Sequence, residues 1–185
     1  MVSYNTMVKK DYVLKILINI VLAVLFTAGV YASEDRALYY EGIRDARHNN
    51  IDFAFIIFDN LARDYPSSRY FEDALFATGE YRFLINDYTD SRVIFNKIVS
   101  SPENTKVKLF AYAYLMKLCE KTGCEHKVYL GYKKNVLTFK QISLLFRNSQ
   151  EVTYTSALQK VHKAVYFIDK VVVYIDNEAF LTIHF

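Results

Sequence analysis

The sequence predicts a mainly α protein: a short α-solenoid of about three helical hairpins, followed by a candidate C-terminal β-hairpin. Three observations carry this. Small and aromatic residues recur with a period of 37. Glycine (5) and proline (2) are scarce in 185 residues, which disfavours a turn-rich all-β fold. Val, Ile, Tyr and Phe crowd into residues 163–185, where β-branched and aromatic side chains favour strands. With 52% hydrophobic residues the chain can bury one sizeable core, and its length disfavours two.

The first element reads as an address. Lys9, Lys10 and Lys15 precede an apolar run, Ile16–Val30, interrupted by Asn19 and closed by Val30-Tyr31-Ala32 before the polar Ser33-Glu34-Asp35. That is the three-part layout of a secretory signal, with small residues placed for cleavage after Ala32. The 15-residue run is short for a membrane-spanning helix, which needs about 20. Residues 1–32 are therefore expected to be a signal peptide and the product periplasmic or secreted. The alternative is an inner-membrane anchor retained at residues 16–30. No cysteine follows the run to accept a lipid.

Residues 33–135 carry the repeat. Ala37, Ala74 and Ala111 stand 37 apart, Gly42 matches Gly79, and Ala54 matches Ser91. Phe58 and Phe95, then Leu61 and Ile98, follow in the same register, and Asn49 and Asn86 mark matching turns. Each unit closes near a proline, Pro66 or Pro102. The spacing predicts antiparallel helix pairs, with small residues where the helices cross and Phe or Leu filling the space between them. The helices are expected at 35–48 and 51–64, then 71–85 and 89–100, then 106–121 with a resumption after Cys124. The third unit is degenerate: Met116 replaces the glycine, Val128 the small residue and Tyr132 the phenylalanine.

The stretches ALYYEGIRDARHNNIDFAFIIFDNLARDYPSSRY and ALFATGEYRFLINDYTDSRVIFNKIVSSP resemble tetratricopeptide repeats. They are similar to those of the outer-membrane assembly lipoprotein and the Tol–Pal-associated periplasmic protein families. The run Tyr65-Pro66-Ser67-Ser68, followed by an aromatic residue and Ala74, carries the likeness furthest. The resemblance implies an exported, non-enzymatic scaffold or adaptor of the bacterial cell envelope, acting in outer-membrane or cell-wall assembly. It would bind a partner peptide or helix in a groove lined by the first helix of each unit. Tyr40, Arg44, Arg47, Tyr81 and Arg82 are the candidate contact residues, since amphipathic tyrosines and arginines suit binding surfaces.

Residues 136–185 form the last segment. Phe139–Phe146 suits a short apolar helix. Ala164–Tyr174 and Ala179–Phe185, flanking Asp176-Asn177-Glu178, read as a β-hairpin. A helix over Thr155–Asp169 is the alternative, because Leu158, Val161, Val165 and Ile168 fall at helical spacing. Such a tail either caps the last repeat or adds a strand to a partner.

Charge and chemistry narrow the function classes. Beyond residue 32 there are 20 basic and 19 acidic groups, too balanced for a nucleic-acid field. Residues 106–147 hold nine of the bases against two acids, either a solvated face or a surface for an acidic partner or anionic lipid heads at a membrane periphery. Cys119 and Cys124 flank Gly123. After export they either form a small disulfide clasp or stand apart, with Cys119 buried. His126 alone is too little for a metal, and no cofactor motif is present. His48, His126, His162 and His184 are widely spaced and expected at the surface or at helix ends. An accessory ligand-binding module with its site in the C-terminal region is the competing reading, and a membrane-anchored subunit of an envelope complex the third.

Overall fold

The computed structural model describes residues 34–102, 105–139 and 150–185. Residues 38–185 pack as one compact unit, and residues 34–37, in the segment before it, are helical. The expected signal, residues 1–32, its anchor alternative at 16–30, and residues 140–146 of the expected apolar helix all lie outside the described residues.

Six helices precede a sheet among the described residues. They are α1 (residues 34–47), α2 (Ile51–Asp64), α3 (Phe71–Leu84), α4 (Tyr88–Val99), α5 (Lys106–Thr122) and α6 (His126–Thr138). Each packs on the next as an antiparallel neighbour, which is the packing expected of a helical repeat. The small-residue register explains why. A Cβ on Gly42 would lie 2.7 Å from the Phe58 ring, and one on Gly79 would lie 3.1 Å from the Phe95 ring. Glycine thus lets the second helix of each pair lay a fully buried phenylalanine against the first. Burying each such ring contributes roughly 2 kcal/mol. Ala54 and Ser91 are buried at the matching crossing, and Ser91 Oγ donates to Gly79 O at 3.0 Å.

The turns repeat as faithfully. Asn49 and Asn86 each adopt φ 62°, a left-handed conformation that asparagine tolerates better than most residues. In each turn the following amide donates back across the helix end, Asn50 N to Asp45 O and Asp87 N to Arg82 O, both at 2.9 Å. The third pair departs from this geometry. Met116 is fully buried where the glycine would stand, and Val128 is exposed instead of lying at a close crossing.

The C-terminal segment holds four strands, not two. β1 (Gln150–Thr155), β2 (Val161–Tyr166), β3 (Lys170–Ile175) and β4 (Glu178–His184) form an antiparallel meander in that order. The expected strand Ala164–Tyr174 is therefore broken by a turn at residues 167–169, where Phe167 N donates to Lys170 O. The helix considered over Thr155–Asp169 is absent. Ile168, which would have belonged to its apolar stripe, is 75% exposed at that turn. The β3–β4 connection places Asp176 at φ 50° and Asn177 at φ 68°, the two left-handed residues of a tight hairpin turn.

The sheet reaches the last helix of the stack, where Tyr166 OH of β2 donates to Val136 O of α6 at 2.9 Å. It lies on the face formed by the first helices of the pairs. Tyr154 OH donates to Asp73 on α3 at 2.8 Å, and Phe180 packs against Phe83 of α3 and Tyr114 of α5. Arg47 at the end of α1 donates to Gln159 in the β1–β2 turn. Meanwhile Leu130 on α6 stays exposed. Sheet and helices share one core, and a boundary drawn at residue 136 would cut α6.

Candidate functional site

α3 is the central helix. Every residue from Ala74 to Glu80 is buried, because α2, α4, α5 and the sheet surround it. A carboxylate at this depth needs partners, and Glu80 finds them on α5 and β2. Tyr114 OH donates to Glu80 Oε1 at 3.0 Å, and His162 Nε2 lies 3.1 Å from the same oxygen. His162 Nε2 is also 3.4 Å from Tyr114 OH. The other ring nitrogen, Nδ1, is 3.2 Å from Lys160 O. A carbonyl only accepts, so Nδ1 carries a hydrogen. Nε2 thus faces both Glu80 Oε1 and the Tyr114 hydroxyl, and the three groups form one buried hydrogen-bonded cluster. Glu80 Oε2 is buried and has no hydrogen-bond partner.

Aromatic rings enclose this cluster. Tyr114 stacks on Phe95 with centroids 4.7 Å apart, and Phe76 meets Tyr114, Tyr154 and His162 edge-on. Burial first, and then the Glu80 carboxylate, hold the Tyr114 hydroxyl well above the ordinary tyrosine value. Tyr154 is raised in the same way, by burial and then by Asp73.

A cavity of about 520 Å³ opens beside the cluster, lined among others by Glu80, Phe83, Tyr88, Tyr114, Asp176 and Phe180. It sits where the C-terminal ends of α3 and α5 meet the sheet end that carries the β1–β2 and β3–β4 turns. Lys121, Lys160 and Glu178 complete its charged lining.

The five residues expected to line a groove meet different surroundings, with Tyr81 and Arg82 sharing a partner. Tyr40 packs edge-on against Tyr39 and Tyr70, and Arg44 pairs with Glu41 at 3.5 Å. Arg47 meets Gln159 of the sheet. Tyr81 and Arg82 do come together, around Phe55 of α2: Tyr81 stacks on that ring at 4.1 Å, and the Arg82 guanidinium lies over it at 5.0 Å. Tyr81 OH also donates to Asp52, and Arg82 pairs with Asp87 at 3.0 Å. These contacts join neighbouring helices, whereas the first-helix face is occupied by the sheet.

Cys119 and Cys124 are joined in a disulfide, with Cα atoms 5.1 Å apart. Gly123, at φ 76°, makes the reversal between them. The basic stretch is partly spoken for. Lys108 Nζ donates to Ser101 O, and Lys117 pairs with Glu120 at 2.8 Å. Lys106, Lys121, Lys127, Lys133 and Lys134 belong to α5 and α6, whereas Lys140 and Arg147 lie outside the described residues. Among the described residues no cluster of His, Cys, Asp and Glu could hold a metal ion, and no helix is long and apolar enough to cross a membrane.

His162 corrects an expectation. It is 1% exposed in a strand, whereas His48, His126 and His184 are exposed as expected. The partner side of the cluster had a readable signal. In the 37-residue register Glu80 stands where the first unit has Ile43 and the third has Lys117. A carboxylate in the register of a half-buried isoleucine that packs against the core is a signal of a polar partner there. The identity of that partner, 82 residues later in sequence, had no local signal.

The chain matches no family model, no curated protein and no solved structure.

Proposed function

We propose that this is an exported, non-catalytic binding protein of the bacterial cell envelope, built on a tetratricopeptide-like stack. Its recognition site is the cavity beside Glu80, and its partner is a segment of another protein. The observation that carries the reading is the sheet lying on the first-helix face. With that face filled from within the chain, a concavity remains at the seam where α3 and α5 meet the sheet, and aromatic and charged groups converge there. The site draws on both the repeat and the C-terminal region, which unites the scaffold reading with the ligand-module reading. The disulfide supports export, since such bonds persist in oxidising compartments. The signal-like residues 1–32 support it independently.

Cells expressing the full chain with a photo-crosslinking residue at Tyr88, on the cavity wall, or at Val93, exposed on α4, test this. The expected result is a discrete adduct in the envelope fraction from position 88, lost when Ala179→Trp is added to fill the cavity. Adducts from position 93 with none from 88 would overturn the site. Cytoplasmic protein with reduced thiols would overturn export.

A further inference from the structure

We propose, taking the cavity as the recognition site, that the partner segment binds in extended conformation along the outer edge of β4 and turns one apolar side chain into that cavity. The sheet order is β1-β2-β3-β4, so β4 is hydrogen-bonded on one side, and among the described residues nothing pairs with its other side. Phe185 N donates to Asp169 O, which turns Phe185 towards β3. Alternation along an antiparallel strand then turns the N–H and C=O of Thr182 and His184 outward, and both residues are exposed. Edge strands are ordinarily blunted by lysine, proline or a bulge. Residues 181–184 hold neither lysine nor proline and pair in regular register beyond the irregularity at Val173 and Tyr174. Outward main-chain donors and acceptors in a row match another extended backbone.

The cavity lies where such a segment would run. β1 meets α3 at Asp73 through Tyr154, and β4 meets it at Phe83 through Phe180. Those two contacts are ten residues apart on α3, which is about 15 Å of helix rise, and three strand spacings span about 14 Å. The sheet thus advances one strand for roughly every three residues of α3, and a further strand beyond β4 falls over residues 84–86. Leu84, 52% exposed, and Asn86 line the cavity at that place, whereas β1, the other edge, contributes no residue to the lining. The lining also selects the side chain. Lys121 and Lys160 are offset by Asp176 and Glu178, and Glu80 is engaged by Tyr114 and His162. With charge balanced, the rings of Phe83, Tyr88 and Phe180 favour an apolar side chain, above all an aromatic one.

Amide NMR of the full chain tests the proposal. In the protein alone, Thr182 N–H is expected to exchange at least about tenfold faster than Ile183 N–H, and equal protection would show the edge already covered and overturn the proposal. An end-capped peptide, Thr-Val-Thr-Phe-Thr-Val-Thr, is expected to move the amides of Thr182, His184, Tyr88 and Phe180. The same peptide N-methylated at every residue, and one with Lys in place of Phe, should each bind at least about tenfold more weakly. Thr182→Pro removes an N–H that the ladder does not use and should weaken the peptide about tenfold, whereas Thr153→Pro, at the matching outward position of β1, should not. The N-methylated peptide keeps the test decisive if Thr182→Pro misfolds. In cells, Thr182→Pro should also abolish the adduct from position 88. An adduct that persists in folded Thr182→Pro, or shifts at Tyr88 and Phe180 equal for the parent and N-methylated peptides, would overturn strand addition while leaving the cavity as the site. No shift with any peptide would overturn strand addition, and the crosslink from position 88 then decides the cavity separately.

Discussion

Removing His162 should damage the fold more than removing His162 and Glu80 together. The ring of His162 is 1% exposed and supplies, with Tyr114, the hydrogen bonds of a fully buried carboxylate. In His162→Phe the aromatic packing against Phe76 and Phe110 is kept, but Glu80 retains only the Tyr114 hydroxyl. Breaking a buried pair from one side costs about 3–5 kcal/mol. In Glu80→Leu the charge goes, and Tyr114 OH and His162 Nε2 still face each other at 3.4 Å, so about 1–3 kcal/mol is expected. In the double variant only the Tyr114 hydroxyl is orphaned, for about 1–3 kcal/mol again. Additivity would require about 4–8 kcal/mol. Urea unfolding followed by circular dichroism on all four proteins, with the disulfide intact and slopes compared, measures the difference. A double variant as unstable as the sum of the singles would refute the reading of Glu80 and His162 as one coupled pair.

Two further outcomes follow from the cores on either side of that cluster. Tyr114 and Tyr154 keep their protons in the folded state above the ordinary value of 10.0, so above about pH 10 the unfolded chain sheds protons that the native state retains. Stability is therefore level with respect to these groups below that pH and falls as pH rises beyond it, by up to about 1.4 kcal/mol per pH unit for each tyrosine. Absorbance near 295 nm should show their ionisation only together with unfolding, and smooth titration of all 16 tyrosines in a folded chain would contradict the burial. Reducing the Cys119–Cys124 bond opens a loop with a sequence separation of 5, which by chain entropy removes about 2 kcal/mol. A melting temperature lowered by about 4–8 °C is expected on reduction, and an unchanged one would show that the bond restrains nothing in the unfolded chain.

The helical stack was legible in the residues nearly to its boundaries. Local signals and the 37-residue register agreed, because a helix pair is short-range: Gly42 waits for Phe58 and Gly79 for Phe95, each 16 residues on. The crowding of Val, Ile, Tyr and Phe pointed to strands at the C-terminus, but it merged β2 and β3, since the turn at Phe167-Ile168-Asp169 contains neither glycine nor proline to mark it. Where the sheet sits emerged from long-range packing. Laying it on α3 and α5 converted an expected open groove into an internal interface, moved His162 from an expected surface position into the core, and created the cavity beside Glu80. Period and propensity report the face each residue turns within its own element. Which element then covers that face depends on contacts between Asp73 and Tyr154, or Glu80 and His162, residues separated by about eighty positions, and no local pattern encodes such a pairing.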